Sequence, residues 1–557
     1  MTDKNKANGE NNNKKNGGLP VVIGAAAAFV ILVIILALVL SKCGKTNDPA
    51  ATNQLTAADT GSQGAETEAP GTSSGEQSGD PVHVHAFGEW TVLSEPACLT
   101  AGERERVCAS CGEKQTEELP PLGHDGHNNE CVRCGKKANV GDFKLSADKE
   151  NPDAYMIDNC YAAEEDVLIP DVYEGKPVVR VRYQSFSNTE VKYVSIPDSV
   201  ETVESWALAY MPNLELVRIG KNVGSLDPTF RFWTDSLRWL YVEPGNERYH
   251  SYCSCIIETA TKTLISGCGG SVLPDDGSVT VIANASLSNV RNLERLNIPD
   301  SVTAIAEYSM NNCYGLLSLE IPDSVTEIGQ YAFDSCKGLQ SLRLPAGLTE
   351  MGLGWFRGCV SLSAVVLPEG VTDTGVSCFE DCESLKTVTL PEKLQRIGNY
   401  TFKNCTSLEE IKLPQSLTKL GDAFAGCTGL KKLVIPDGVD DPGVSVISHC
   451  TGLKEIVLPK DMAGIPYHFF GECSSLETVV IPSKVTQIEY NAFKNCTSLK
   501  SVVFPASLKF IQYDIFVNCP ALETVYYEGS EADWAKISIN SSNETLNKAK
   551  IVYNYKG

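Results

Sequence analysis

Apolar positions recur along this chain at a fixed interval. A short strand-like run, L-x-x-[LVI]-x-[LIVF], ends on an apolar residue followed by Pro at Ile298-Pro299, Ile321-Pro322, Leu344-Pro345, Leu367-Pro368, Leu390-Pro391, Leu413-Pro414, Ile435-Pro436, Leu458-Pro459, Ile481-Pro482 and Phe504-Pro505. The interval is 23 residues, with one step of 22. After each Pro comes V/L-T-x-I or a variant, then A-F or W-F in many copies, then Cys and the next Leu. A unit this short cannot enclose a core alone, so the units must stack. The pattern predicts one short strand per unit in a continuous parallel sheet, then a second extended piece and a helical turn near the A-F and Cys positions. Side chains alternate faces along a strand, so the last two apolar positions point inward and the residue between them points out. The outward positions are Glu320, Arg343, Val366, Thr389, Lys412, Val434, Val457, Val480, Val503 and Tyr526. The last five, Val434, Val457, Val480, Val503 and Tyr526, form an apolar stripe and are the candidate ligand-binding residues.

The unit appears more loosely upstream at Ile169-Pro170, Ile196-Pro197 and Ile219-Gly220. The repeats thus run over residues 138–527, with an interruption near 241–272 whose alternating runs on either side of Thr259 to Lys262 read as an inserted β-hairpin. Residues 528–557 read as the terminal cap that a solenoid requires. A period in the low twenties with leucines at fixed offsets marks a leucine-rich repeat. The expected fold is a leucine-rich-repeat solenoid with a parallel β-sheet, mainly β with short helical turns. The unit IPDSVTEIGQYAFDSCKGLQSLRLP, with its Pro-terminated strand, A-F pair and Cys, resembles the BspA-type leucine-rich repeats of bacterial surface proteins, as do the N-E-R-Y hairpin and the Y-Y-E-G-S-x-x-x-W cap. The resemblance covers roughly residues 140–557. It implies an adhesin-like surface role and supplies no ligand.

The N-terminal part has a different character. Leu19 to Leu40 is 22 residues without a charge, which as a helix spans about 33 Å at ~1.5 Å per residue and crosses a bilayer. Lys4, Lys6, Lys14 and Lys15 precede it, so residues 1–18 are expected in the cytoplasm, 19–41 in the membrane and the rest outside. The competing reading is a cleaved signal peptide, which the length of the run and the lack of a small-x-small site disfavour. A lipoprotein anchored through Cys43 is disfavoured by its neighbour Lys42. Residues 42–82, rich in Gly, Ser, Thr, Ala and acids, read as a disordered linker.

Between that linker and the repeats, residues 83–137 concentrate His and Cys. C-A-S-C (Cys108, Cys111) and C-V-R-C (Cys131, Cys134) are paired knuckles, each followed by glycine at Gly112 and Gly135. Two residues between thiolates let both sulfurs reach one ion, and paired knuckles at this separation read as a tetrahedral structural zinc in a zinc-ribbon-like module. An alternative set joins Cys98 and His85 or His124 to Cys108 and Cys111. The segment resembles small Cys-rich modules found beside surface repeats, with His85, Phe87, Trp90, Cys98, Cys108, Cys111 and Leu122-Gly123-His124 in the matching pattern, and that resemblance favours the second set. A disulfide-linked module is the other reading, natural outside the cell.

A second cysteine population, Cys313, Cys336, Cys359, Cys382, Cys405, Cys427, Cys450, Cys473, Cys496 and Cys519, follows the repeat register. Coils stack ~4.8 Å apart, so these side chains line up without facing one another, and they read as free, buried fillers. In the inserted hairpin, a turn between Ala260 and Thr261 would set Cys253 opposite Cys268, and a disulfide is expected there. Asn404-Cys405-Thr406 and Asn495-Cys496-Thr497 match a glycosylation acceptor pattern, but they recur because the unit recurs. No P-loop or H-E-x-x-H stands in the chain, and no enzyme is expected. A formal net charge of -23 makes nucleic acid a poor partner. The expectation is a membrane-anchored surface protein that binds an extracellular protein or glycan; the alternatives are an architectural spacer without a ligand of its own and, less well supported, an extracellular hydrolase.

Overall fold

The structure, a computed structural model, describes residues 86–186 and 190–556. The proposed membrane helix, the linker and His85 lie outside the described residues. Among the described residues no helix is long and apolar enough to cross a membrane.

The protein is a mainly β solenoid of parallel strands. Most repeats contribute the expected strand before the proline, as in Ser318–Glu320, Ser341–Arg343, Lys432–Val434 and Glu455–Val457, while the runs before Pro299 and Pro414 are extended without forming one. These pair in parallel from one repeat to the next, Leu319 with Leu342 and Leu433 with Ile456. The proline ends the strand because it has no N–H to donate and its carbonyl opens a turn, accepting from the apolar residue three positions on, as Pro322 does from Val325 at 3.1 Å. The second extended piece is a two-residue strand, such as Arg396–Ile397 or Gln487–Ile488, forming its own parallel ladder. The third side, expected to be helical, is a run of hydrogen-bonded turns tied across repeats by bonds such as Phe356 N–H to Cys378 O at 2.9 Å. The phenylalanines of this side stack in the core, Phe333 on Phe356 at 5.2 Å and Phe356 on Phe379 at 5.7 Å. The residue before the ladder cysteine adopts positive φ, near 60° at Asn312, Asn404 and Asn495, which is why Asn, Gly and Asp recur there.

Both ends are closed. At the start Phe143–Ala147 pairs antiparallel with Tyr155–Cys160 and covers the sheet edge. At the end Lys550–Val552 adds a last strand beside Thr524–Tyr527. Between them, a helix at Glu531–Trp534, with a capping box between Ser530 and Asp533, packs Trp534 against Tyr527.

The insertion is a three-stranded meander, Tyr249–Tyr252, Cys255–Glu258 and Thr263–Ser266. The turn at Thr259 to Lys262 is where it was expected, but an additional two-residue turn at Cys253-Ser254, both at positive φ, precedes it. That turn takes Cys253 out of the strand that would have faced Cys268. The expected Cys253–Cys268 disulfide is therefore overturned: Cys268 is a free, buried thiol with its Sγ 3.9 Å from the Ser254 carbonyl.

Candidate metal centre and sheet face

The segment before the repeats forms a small module of three antiparallel strands, Thr91–Ser94, Gly102–Val107 and Lys114–Leu119, followed by a two-residue ladder between Gly126–His127 and Glu130–Cys131. Its two knuckles have the same backbone. In each, the glycine after the second Cys sits at positive φ, 77° at Gly112 and 76° at Gly135, and donates to the carbonyl of the first Cys.

Four groups converge: Cys98, His124, Cys131 and Cys134, their ligand atoms all within 4.8 Å of one another. Cys98 Sγ lies 3.8 Å from Cys131 Sγ, and Cys134 Sγ lies 3.3 Å from His124 Nδ1. About 3.8 Å is the edge of a tetrahedron with Zn–S bonds of ~2.3 Å, so this donor set fits a tetrahedral ion. Burial, reinforced by the neighbouring thiols of Cys131 and Cys134, pushes the Cys98 thiol up to about 12. Burial acts the same way on Cys131, but backbone N–H groups from Cys134 and Arg133 and the His124 side chain bring it down to about 6. A cation held between Cys98 and Cys131 would favour the thiolate form of both.

Among the described residues this group draws on both sets considered from sequence. Cys108 and Cys111 form the other knuckle and stand outside the group of four. Cys131 and Cys134 of the first set and Cys98 and His124 of the second thus come together in one group. The cysteines of the cluster are free thiols, which does not match the disulfide-linked reading.

The centre is not confined to the module. His124 is buried, and its Nε2 lies 2.6 Å from Oδ2 of Asp166, a residue of the repeat strand Asp166–Leu168. Its backbone N–H donates to Ser195 Oγ at 2.8 Å. Cys98 and Cys131 share a buried cluster with Leu168. Gly123 and Gly126 are forced by this proximity, since a Cβ on them would lie 2.9 Å from Arg218 Cβ and Leu168 Cδ1 respectively. Arg218, wholly buried, donates to Asp125 of the module at 3.0 Å and to Glu243 at 2.6 Å. Sequence reasoning missed Asp166, Ser195 and Arg218 because they are distant in the chain and carry no motif.

Leu168, Ser195, Arg218 and Tyr241 are in register on adjacent strands. The first three precede the last inward residue of their repeats, the outward position identified from sequence, and all four are buried. The equivalent outward position in later repeats stands without that cover at several places. Val434 is paired with Val457, and Val480 with Val503, which pairs with Tyr526. Val434, Val457 and Val480 are 43%, 46% and 65% exposed, while Val503 and Tyr526 are half-buried and the Tyr526 ring packs at a tilt against Tyr555 of the cap, centroids 4.6 Å apart. The sheet pattern thus brings the five predicted stripe residues to one row, open over its first three.

The BspA type leucine rich repeat region matches this chain in six copies over residues 166–254, 272–386, 340–440 and 395–523, more than half of its length. The chain belongs to the BspA-type leucine-rich repeat family. Among solved structures it is similar to a leucine-rich repeat protein from Bacteroides ovatus, with 21% identity, a TM-score of 0.46 and coverage of 74% of this chain and 98% of that one. A leucine rich cell surface protein from Faecalibacterium prausnitzii shows 22% identity and a TM-score of 0.41, covering 72% and 97%. The pneumococcal vaccine antigen PcpA shows 18% and 0.39, covering 74% and 97%. No curated protein matches.

Proposed function

We propose that this protein is a membrane-anchored extracellular binding protein that takes an extracellular protein or glycan on the outer face of its repeat sheet. The observation that carries the reading is what occupies the outward position of the repeat strands. In the first repeats that position already carries a folded partner, the chain's own Cys/His module, on Leu168, Ser195, Arg218 and Tyr241, and in later repeats the equivalent position presents Val434, Val457 and Val480 uncovered. Adjacent strands set such side chains within about 5 Å of one another, so they act as one apolar band. No catalytic role is assigned to the chain. The uncharged run from Leu19 to Leu40 supports a single-pass anchor with the N-terminus in the cytoplasm, and the Cys98/His124/Cys131/Cys134 donor set supports a structural zinc.

The test is a glycan and extracellular-protein binding array comparing the wild-type ectodomain with the V457K/V480K double variant. A ligand retained by wild type and lost by a folded double variant supports the reading. A ligand bound equally by both removes the valine row, and no ligand for either favours the spacer. Protease added to intact cells should remove the repeats; repeats that survive while a fused cytoplasmic marker is cut reverse the orientation.

A further inference from the structure

We propose that the metal centre belongs jointly to the module and the repeats: Asp166 of the first repeats fixes His124 for the ion, and the ion in turn clamps the module onto the sheet. The inference rests on the reading above that Cys98, His124, Cys131 and Cys134 hold a zinc-like divalent ion.

A histidine ligand has two ring nitrogens, and a partner on one decides what the other does. Here Nδ1 faces the cluster, 3.3 Å from Cys134 Sγ, while Nε2 is held 2.6 Å from Asp166 Oδ2. With the proton kept on Nε2 by the carboxylate, Nδ1 offers its lone pair inward, the arrangement that orients histidines at metal sites. The carboxylate comes from a strand of the solenoid, 42 residues along the chain. The module cannot supply that contact until it is docked.

The remaining contacts make the coupling mechanical. Cys98 and Cys131 pack on Leu168, so two of the four ligands lean on the repeat sheet. Asp125, next to His124, is tied to the buried Arg218 at 3.0 Å. Lys136, two residues after the ligand Cys134, reaches Asp166 at 3.3 Å and Glu164 at 2.9 Å. Drawing the four ligands around one ion therefore fixes both strands of the second knuckle against Asp166, Leu168 and Arg218. Linkage makes the effect reciprocal: whatever docking adds to metal affinity, metal adds to docking. Asp166 is a positioning residue in this scheme and touches no metal.

The experiment uses the full ectodomain. Zinc affinity is measured by chelator competition for wild type, Asp166→Ala and Asp166→Asn, and cobalt is substituted to read ligand geometry from its absorption bands. Loss of an outer carboxylate typically weakens metal binding 10- to 100-fold. That loss is expected for D166A, with a shifted cobalt spectrum, and a smaller loss for D166N, which keeps an acceptor oxygen. In parallel, wild type is digested with trypsin with and without bound zinc; chelation should speed cleavage at Arg133 and Lys136. Unchanged affinity in folded D166A overturns the inference, and should D166A fail to fold, trypsin cleavage indifferent to zinc overturns it alone. A wild type that holds no zinc and gives no cobalt thiolate bands sinks the metal reading itself, a result distinguishable from either.

Discussion

The thiol of Cys427 donates to the backbone carbonyl of Phe402 at 3.0 Å, from one repeat to the one before it. The bond recurs from Cys405 to Phe379 at 3.3 Å and from Cys450 to Phe424 at 3.1 Å. The ladder cysteine is thus a donor to a carbonyl of the preceding turn as well as a small buried side chain. Replacing Cys427 with Ala removes both roles and is expected to lower stability by about 1–3 kcal/mol. Cys427→Ser keeps a donor and should lose less. Urea midpoints of the two variants decide the matter, and a serine variant weaker than the alanine one would reduce the ladder to packing.

Those thiols should also be chemically silent. Burial pushes Cys450 up to about 12 and raises Cys359 further, so almost no thiolate exists near pH 8. Iodoacetamide on the folded protein, followed by peptide mass spectrometry, should leave Cys359, Cys405 and Cys450 unmodified, with full labelling after denaturation. Native labelling of any of the three would mean that the repeats open locally.

Periodicity made the solenoid legible, because inward and outward positions follow from a strand's two-residue alternation wherever the register is known. It also exposed the apparent glycosylation sites as structural. Asn404 donates to Asp381 at 2.8 Å and sits at φ 59°, and Asn495 occupies the equivalent turn at φ 62°. What periodicity could not reveal was pairing between distant segments. Cys98 and His124 lie at uneven spacing from Cys131, so motif spacing favoured the two knuckles as partners, and only the docking of the module on Leu168 and Asp166 selects the group of four. The turn at Cys253-Ser254 was hidden for a local reason: neither residue is the glycine or asparagine that usually announces positive φ.

Arg231 is wholly buried, and burial pulls its guanidinium down to about 10. It donates to Ser266 Oγ at 2.9 Å and to the carbonyls of Ser286 and Ser288, closing the core where the meander interrupts the stack. Arg231→Met should destabilise by roughly 3 kcal/mol, since stranded acceptors cost about 1–3 kcal/mol each and the relief of a buried charge offsets part of that. Thermal unfolding measures it. A stabilised methionine variant would show that desolvation of the charge outweighs its hydrogen bonds.

Asp148 gives a pH dependence of definite sign. Burial disfavours its charge, but Arg180 Nε at 2.7 Å and the N–H groups of Glu150 at 2.8 Å and Asn151 at 3.0 Å hold its carboxyl below the ordinary range. A folded-state pKa below the unfolded value of ~3.9 adds stability that is complete above that value and disappears as pH falls through the folded one. Asp148→Asn should therefore be less stable than wild type at pH 7, and the two should converge at acid pH. A gap in unfolding midpoint that stays constant with pH would show that the charge does not matter.

The valine row separates stability from binding. Val457 and Val480 point out of the sheet and are 46% and 65% exposed, while their neighbours Ile456 and Val479 face the core. Lysine at the outward positions keeps the strand and loses only partial burial, so V457K and V480K are each expected to cost within about 1 kcal/mol. Val479→Lys, one residue away, buries an ammonium in an apolar core and should unfold the local repeats. The contrast checks the register directly: circular dichroism and urea midpoints should place the double outward variant near wild type and the inward one far below it. An outward variant as damaged as V479K would mean that the row is covered in the native protein, and the exposed band could then not be the docking face.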